Sequence, residues 1–266
     1  MPAAAAWLGL TRVLALILYE YPLNESIRTM LRLEHLFRRL HELIARDAAV
    51  DHHFALSTIF EIMDVAARAD LKADILKDLD RQKAQLNSYR GNPSISEAAL
   101  DEVIGQIDHH YQALNHVQGK AGHTLASNEW LTGIRSRINI PGGTCAFDLP
   151  AYYTWQQLPS EERRQDLQRW IRCLTPFWDA LSLMLQLLRE SGAPHKVVAP
   201  GGLYQQSLPQ NRTYQLLRLK LDPQQRIVPE ISGHRLMVAI RLMRQDSEGR
   251  LRQVTDALNF ELTLCA

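Results

Sequence analysis

The sequence predicts an α+β protein: a predominantly α-helical domain plus a smaller antiparallel β domain. Two observations carry this. Between Pro22 and Glu190 apolar residues recur mostly at spacings of three and four, the period of a helix with one buried face. After Ala193-Pro194 the pattern becomes alternating, in YQLLRLKLD (214–222), HRLMVAIRLM (234–243) and the closing NFELTLCA, with turn-forming residues between the runs. Helices first and strands later give an α+β fold dominated by helices. The expected organisation is a loose extension over 1–16, a mainly helical domain over 17–194 and an antiparallel β domain of about four strands over 195–266. Short strands at 17–21 and 144–147 are candidates to join its sheet.

In chain order, 17–21 is apolar enough for a strand. Ile27, Met30, Leu33, Phe37, Leu40 and Ile44 then mark one face of a helix over 22–46, with Pro22 near its start. Asp51 opens a second helix through Phe54, Ile59, Ile62 and Val65. Asp70 opens a third, with Leu71, Ile75, Leu79 and Leu86 inward and Gly91 as its stop. Ser94 and Glu97 have capping-box spacing for a fourth helix to about Val117. A glycine-containing turn spans 118–124, and Asn128 caps a fifth helix to Ile138. Asp148 before Leu149-Pro150, Ser160 after Pro159, and Thr175-Pro176 start three more.

Composition bounds the function. The chain has 266 residues, 46% hydrophobic and 22% charged, with a net charge of +1. That excludes the basic excess of a general nucleic-acid binder. Cys145, Cys173 and Cys265 form no C-x-x-C pair, so neither a disulfide framework nor a zinc site is expected, and a reducing compartment, the cytoplasm, is the natural setting. The opening MPAAAAWLGLTRVLALILYEYPL lacks a basic start, and Arg12 interrupts its apolar run, so neither a secretory signal nor an integral membrane segment is expected. A membrane-associated adaptor acting through residues 1–18 is the alternative reading of this stretch.

The loop INIPGGTCAFDLP (138–150) looks most like an active site, with Cys145 as its candidate nucleophile. It lacks the phosphate-loop pattern, and no histidine has a fixed spacing to the cysteine. A strand over 144–147 would bury Cys145 and Phe147 on one face. A cysteine-dependent enzyme centred on Cys145, with a histidine such as His234, is thus the rival reading. The pairs His52-His53 and His109-His110 diverge by about 100° on a helix and cannot chelate one metal. No metal and no cofactor are expected. A more specific feature is Arg28, Arg32, His35 and Arg39, a basic stripe within about 60° of arc on the first helix. Arginine forks at such spacing suit an acidic peptide. The stretch 195–266 is also basic, with ten Lys and Arg against six Asp and Glu.

Six strings in order carry a more specific signal: LYEYPLNESIRTMLRLEHLF, LKDLDRQK, INIPGGTCAFDLP, LTPFWDALSLMLQLLRESG, PEISGHRLMVAIRLM and LNFELTLC. Together they closely resemble the ZapD family of cytoplasmic bacterial cell-division proteins, from about Ile17 to Cys265. The resemblance implies a non-enzymatic, symmetric homodimer with a helical and a β domain. It implies binding to the C-terminal tail of FtsZ through a positively charged surface, cross-linking and bundling of FtsZ filaments, and stabilisation of the Z-ring at mid-cell during septum formation. It makes the IPGG loop architectural. Carried onto this chain, the tail-binding residues it implies are Arg28 and Arg32 in the PLNE-x-x-R-T-x-L-R match, Arg68, Arg135 and Arg137 before the IPGG loop, and His234, Arg235 and Arg241 in the ISGH-x-x-x-x-A-I-R match. The chain departs from the family pattern near Glu129 and Met237, where relatives often carry basic residues.

Overall fold

The computed structural model describes residues 15–67, 70–119 and 122–266. The chain divides into two compact units, one formed by Glu25–Leu188 and one by Arg189–Ala266 together with the described residues up to Asn24.

The first unit is helical: α1 (Glu25–Ala45), α2 (Ala49–Ala67), α3 (Leu71–Asn87), α4 (Glu97–His116), α5 (His123–Ala126), α6 (Glu129–Arg137), α7 (Pro150–Gln156), α8 (Ser160–Ile171) and α9 (Thr175–Glu190), whose last two residues belong to the other unit. The periodic apolar face of α1 is its buried face: Ile27, Met30, Leu33 and Leu40 are fully covered. Phe37 meets Phe177 and Trp178 of α9 at ring-centroid distances of 6.5 and 5.0 Å. Trp130 of α6, Tyr152 and Trp155 of α7 and Trp170 of α8 form an aromatic cluster with ring centroids 5.0–6.1 Å apart. Such contacts add roughly 0.5–1.5 kcal/mol per pair beyond area burial.

The second unit is a pair of antiparallel sheets built from β1 (Ile17–Pro22), β2 (His195–Ala199), β3 (Leu203–Ser207), β4 (Leu216–Leu221), β5 (Ile227–His234), β6 (Met237–Gln245), β7 (Leu251–Gln253) and β8 (Leu258–Cys265). One sheet has the order β1-β4-β8-β2. The other has the order β3-β6-β5, with β7 also on β6. In the first, Leu219 of β4 stands opposite Tyr19 of β1 and Leu262 of β8. Alternation decides what is covered: Leu217, Leu219 and Leu221 of β4 and Val238, Ile240 and Leu242 of β6 enter one shared apolar core. On the opposite face of the first sheet Glu20 accepts from Arg189 Nε and Nη2 at 2.8 and 2.7 Å and from Arg218 Nε at 3.0 Å. Those bonds tie β1 and β4 to Arg189 in the last turn of α9.

Several local expectations are corrected. Residues 144–147 form turns and no strand. The fourth helix is capped by Ser96, whose side chain accepts from Ala99 N–H at 3.3 Å. Ser94 instead donates its backbone N–H to Asn92, and Glu97 reaches back to Gly91 N–H. Leu149 holds the N-cap position of α7, with Pro150 in its first turn, and Asp148 makes no cap bond there. Pro159 precedes α8, so Ser160 is its first residue and not its cap. The turn expected at 118–124 gives way to the short α5 at His123. Asn128 does cap α6, accepting from Leu131 N–H at 3.1 Å.

Candidate functional site

The loop at 138–149 is built from consecutive turns. Backbone bonds run from Ile140 N to Arg137 O, Gly143 N to Ile140 O, Cys145 N to Gly142 O, and both Asp148 N and Leu149 N to Cys145 O. Gly142 has φ +69°, a left-handed conformation that favours glycine, and a Cβ on Gly143 would lie 2.7 Å from the Arg137 carbonyl. Because the segment turns, Cys145 is exposed and not buried, and Phe147 stands 85% exposed. Among the described residues no base or cation is hydrogen-bonded to the Cys145 thiol, as an ionised nucleophile requires. No group of three His, Cys, Asp or Glu residues converges as a metal site among the described residues. No helix among them is long and apolar enough to cross a membrane. The part of 1–18 before Ala15 lies outside the described residues.

The basic stripe of α1 divides in two. Arg28 Nε lies 3.1 Å from Glu25 Oε2. Arg39 reaches across to α2, donating to Thr58 Oγ1 at 3.0 Å and Glu61 Oε1 at 2.6 Å. Between them Arg32 and His35 are exposed and hold no carboxylate among the described residues. Arg135, in the last turn of α6, pairs with Asp64 of α2, and Arg137 lies 3.8 Å from Asp148. Since Glu61 and Asp64 sit three apart on α2, that helix takes an arginine from α1 and another from α6. These two carboxylates, which the sequence reading passed over, each hold one basic residue, and their i, i+3 spacing sets them on one face of α2.

In the β unit, His234 ends β5 and Arg235 opens the two-residue connection to β6. His234 Nδ1 accepts from Leu236 N–H at 3.2 Å, and Arg235 projects into solvent with no partner among the described residues. Arg241 of β6 stands opposite Glu230 of β5 and pairs with it at 2.9 Å. Met237 stands opposite His234 at the base of the same hairpin, half-buried. Glu129 is the first residue of α6, where a carboxylate complements the helix dipole. Of the eight candidates, Arg28, Arg32, Arg135 and Arg137 lie in the helical unit and His234, Arg235 and Arg241 in the β unit. Arg68 lies outside the described residues.

The family model for ZapD, described as a cell division protein, matches residues 31–241, more than half of the chain. That match spans both units and contains Arg32, Arg135, Arg137, His234, Arg235 and Arg241. The two-unit α+β architecture and the match together place this protein: the chain belongs to the ZapD family of cell division proteins.

Proposed function

We propose that the protein acts as a non-enzymatic homodimer at the mid-cell division ring in the cytoplasm, where it binds the C-terminal tail of FtsZ and bundles FtsZ filaments. The match to the ZapD family over residues 31–241 carries this reading. Two tail sites on a symmetric pair tie two filaments together, and the many tails along a filament multiply a modest affinity. A flexible tail gives up conformational freedom on docking, which keeps each contact reversible.

The ion pairs rank the candidate arginines. At Arg28, Arg135 and Arg241 an incoming carboxylate must displace Glu25, Asp64 or Glu230, so one ion pair replaces another. At Arg32 and Arg235 the contact is a net addition. These two are therefore the proposed first contacts for an acidic tail, with Arg137, His234 and Arg68 supporting them. Low-speed pelleting of FtsZ with GTP and the purified protein tests the reading. Bundling that requires the FtsZ tail, and that falls in the Arg32→Glu, Arg235→Glu double variant, is expected. Equal bundling of tailless FtsZ, or no bundling at all, would overturn it.

A further inference from the structure

We infer that His52 and Arg163 form an acid-sensitive clasp inside the helical unit, closed only while the imidazole is neutral. Both side chains are buried, His52 fully and Arg163 to within 5%. Arg163, on α8, gathers three parts of the unit. Its Nε donates to His52 Nδ1 on α2 at 3.0 Å. Its Nη1 donates to the carbonyls of Gln156, the last residue of α7, and of Leu158 between α7 and α8. Its Nη2 donates to the Asp47 carbonyl between α1 and α2 at 2.5 Å. The other imidazole nitrogen, Nε2, lies 2.8 Å from the Arg46 carbonyl and must donate to it. The two bonds fix one tautomer: proton on Nε2, lone pair on Nδ1.

A second proton can go only on Nδ1, where it would face the Arg163 Nε–H at 3.0 Å, donor against donor and cation against cation. Among the described residues no carboxylate is bonded to Arg163 or to His52 Nδ1, and that of Asp47, which faces His52, is held by Arg164. Arg163's side-chain partners among the described residues are three carbonyls and the imidazole. The charged groups acting on His52 are Arg163 and Arg164 from α8 and Asp47 from the α1–α2 connection, where Arg46 offers its backbone carbonyl. Asp47 and Glu161 are both held by Arg164, at 2.7 and 2.5 Å, and Asp51 by Arg46 at 3.3 Å. From α7 comes the uncharged Trp155 ring, 6.5 Å away, and on α2 itself His53 is bonded to Tyr152 Oη at 2.7 Å. Burial, and then the charges of Arg163 and Arg164, hold the His52 pKa below its ordinary value against the opposing pull of the Arg46 and Ile44 carbonyls.

The sign follows from linkage. In the unfolded chain His52 takes a proton near pH 6.5; in the folded chain it resists until lower pH. Clasp stability is complete above about pH 6.5 and falls below it. The contribution of this one site is up to about tenfold in the unfolding equilibrium per pH unit, until the folded-state pKa is reached. Urea unfolding of the full chain between pH 7.5 and 5 at fixed ionic strength, alongside nitrogen-detected imidazole NMR, tests this. The unfolding midpoint is expected to drop across that range in the wild type and in His53→Gln. It is expected to stay flatter in His52→Asn, whose amide oxygen takes the Nδ1 position and cannot be protonated there. The NMR spectrum is expected to show His52 as the Nε2–H tautomer at pH values where exposed histidines are already cationic. Ordinary titration of His52 near pH 6.5, or an undiminished midpoint shift in His52→Asn, would overturn the inference. Should His52→Asn fail to fold, the wild-type titration and the His53→Gln midpoints decide it.

Discussion

Replacing Glu20 by Gln removes one negative charge from between two guanidiniums and leaves the shape intact. The carboxylate accepts three charge-assisted bonds, at 2.7–3.0 Å, from Arg189 and Arg218, and the three side chains are only 16–25% exposed. Breaking a buried ion pair by removing one partner costs about 3–5 kcal/mol. The residual exposure screens part of that, and the glutamine oxygen still accepts one bond, which lowers the expected loss to about 2–3 kcal/mol. Burial alone would raise the Glu20 pKa, but the bonds and charges of Arg189 and Arg218 outweigh it and hold the group below its usual range. A carboxylate with a depressed folded-state pKa stabilises fully above its unfolded value, about 4.3, and loses that contribution as pH falls through the folded value. Urea denaturation of wild type and Glu20→Gln at pH 7 and at pH 3 measures both parts. The gap is expected to be about 2–3 kcal/mol at pH 7 and to narrow at pH 3. A gap under about 0.5 kcal/mol at pH 7, the size of an ordinary surface pair, or one that does not change with pH, refutes the reasoning.

Asn128→Ala removes the cap of α6 and is expected to cost about 1 kcal/mol, with faster amide exchange at Leu131. Gly192→Ala places a Cβ 2.6 Å from the Leu264 carbonyl and 2.7 Å from Thr263 Cγ2, so a loss of about 1–3 kcal/mol in thermal or urea unfolding is expected. Arg32→Glu lies on an exposed helix face and is expected to leave the thermal midpoint nearly unchanged. In fluorescence anisotropy it should weaken binding of an FtsZ tail peptide, and wild-type binding should itself weaken with salt, because exposed charges are screened within about 8–10 Å.

The sequence announced what depends on period. Ile27 through Ile44 repeat at helical spacing because each must reach the same core, and that face of α1 is buried as expected. Leu217, Leu219 and Leu221 alternate with Arg218 and Lys220 for the analogous reason in β4. Short edge elements carry too few residues for a period to emerge. His195–Ala199 and Leu203–Ser207 pair as strands through backbone bonds to β8 and β6, which no residue within them signals. At 144–147 the apolar Cys145 and Phe147 suggested a strand, but the run of turns that begins at Arg137 and passes through the two glycines leaves both exposed. Of the candidate site, the arginines of α1 were visible as a stripe. Arg28 holds Glu25 three residues away on the same helix, but the pairing of Arg39 with Glu61 of α2 is a tertiary fact with no local mark. The Arg163–His52 bond joins residues 111 apart and was equally silent.

The strand order β1-β4-β8-β2 has a consequence for assembly of the chain. The first strand leaves the ribosome before the whole of Glu25–Leu188, yet its neighbour β4 follows that segment and the interior strand β8 is made after every other strand of either sheet. A helical segment rich in local contacts can mature during synthesis, while β1 waits with its hydrogen-bonding edge open for some two hundred residues. Truncation within 258–265 would therefore take out a middle strand, separating β4 from β2, rather than trim a margin.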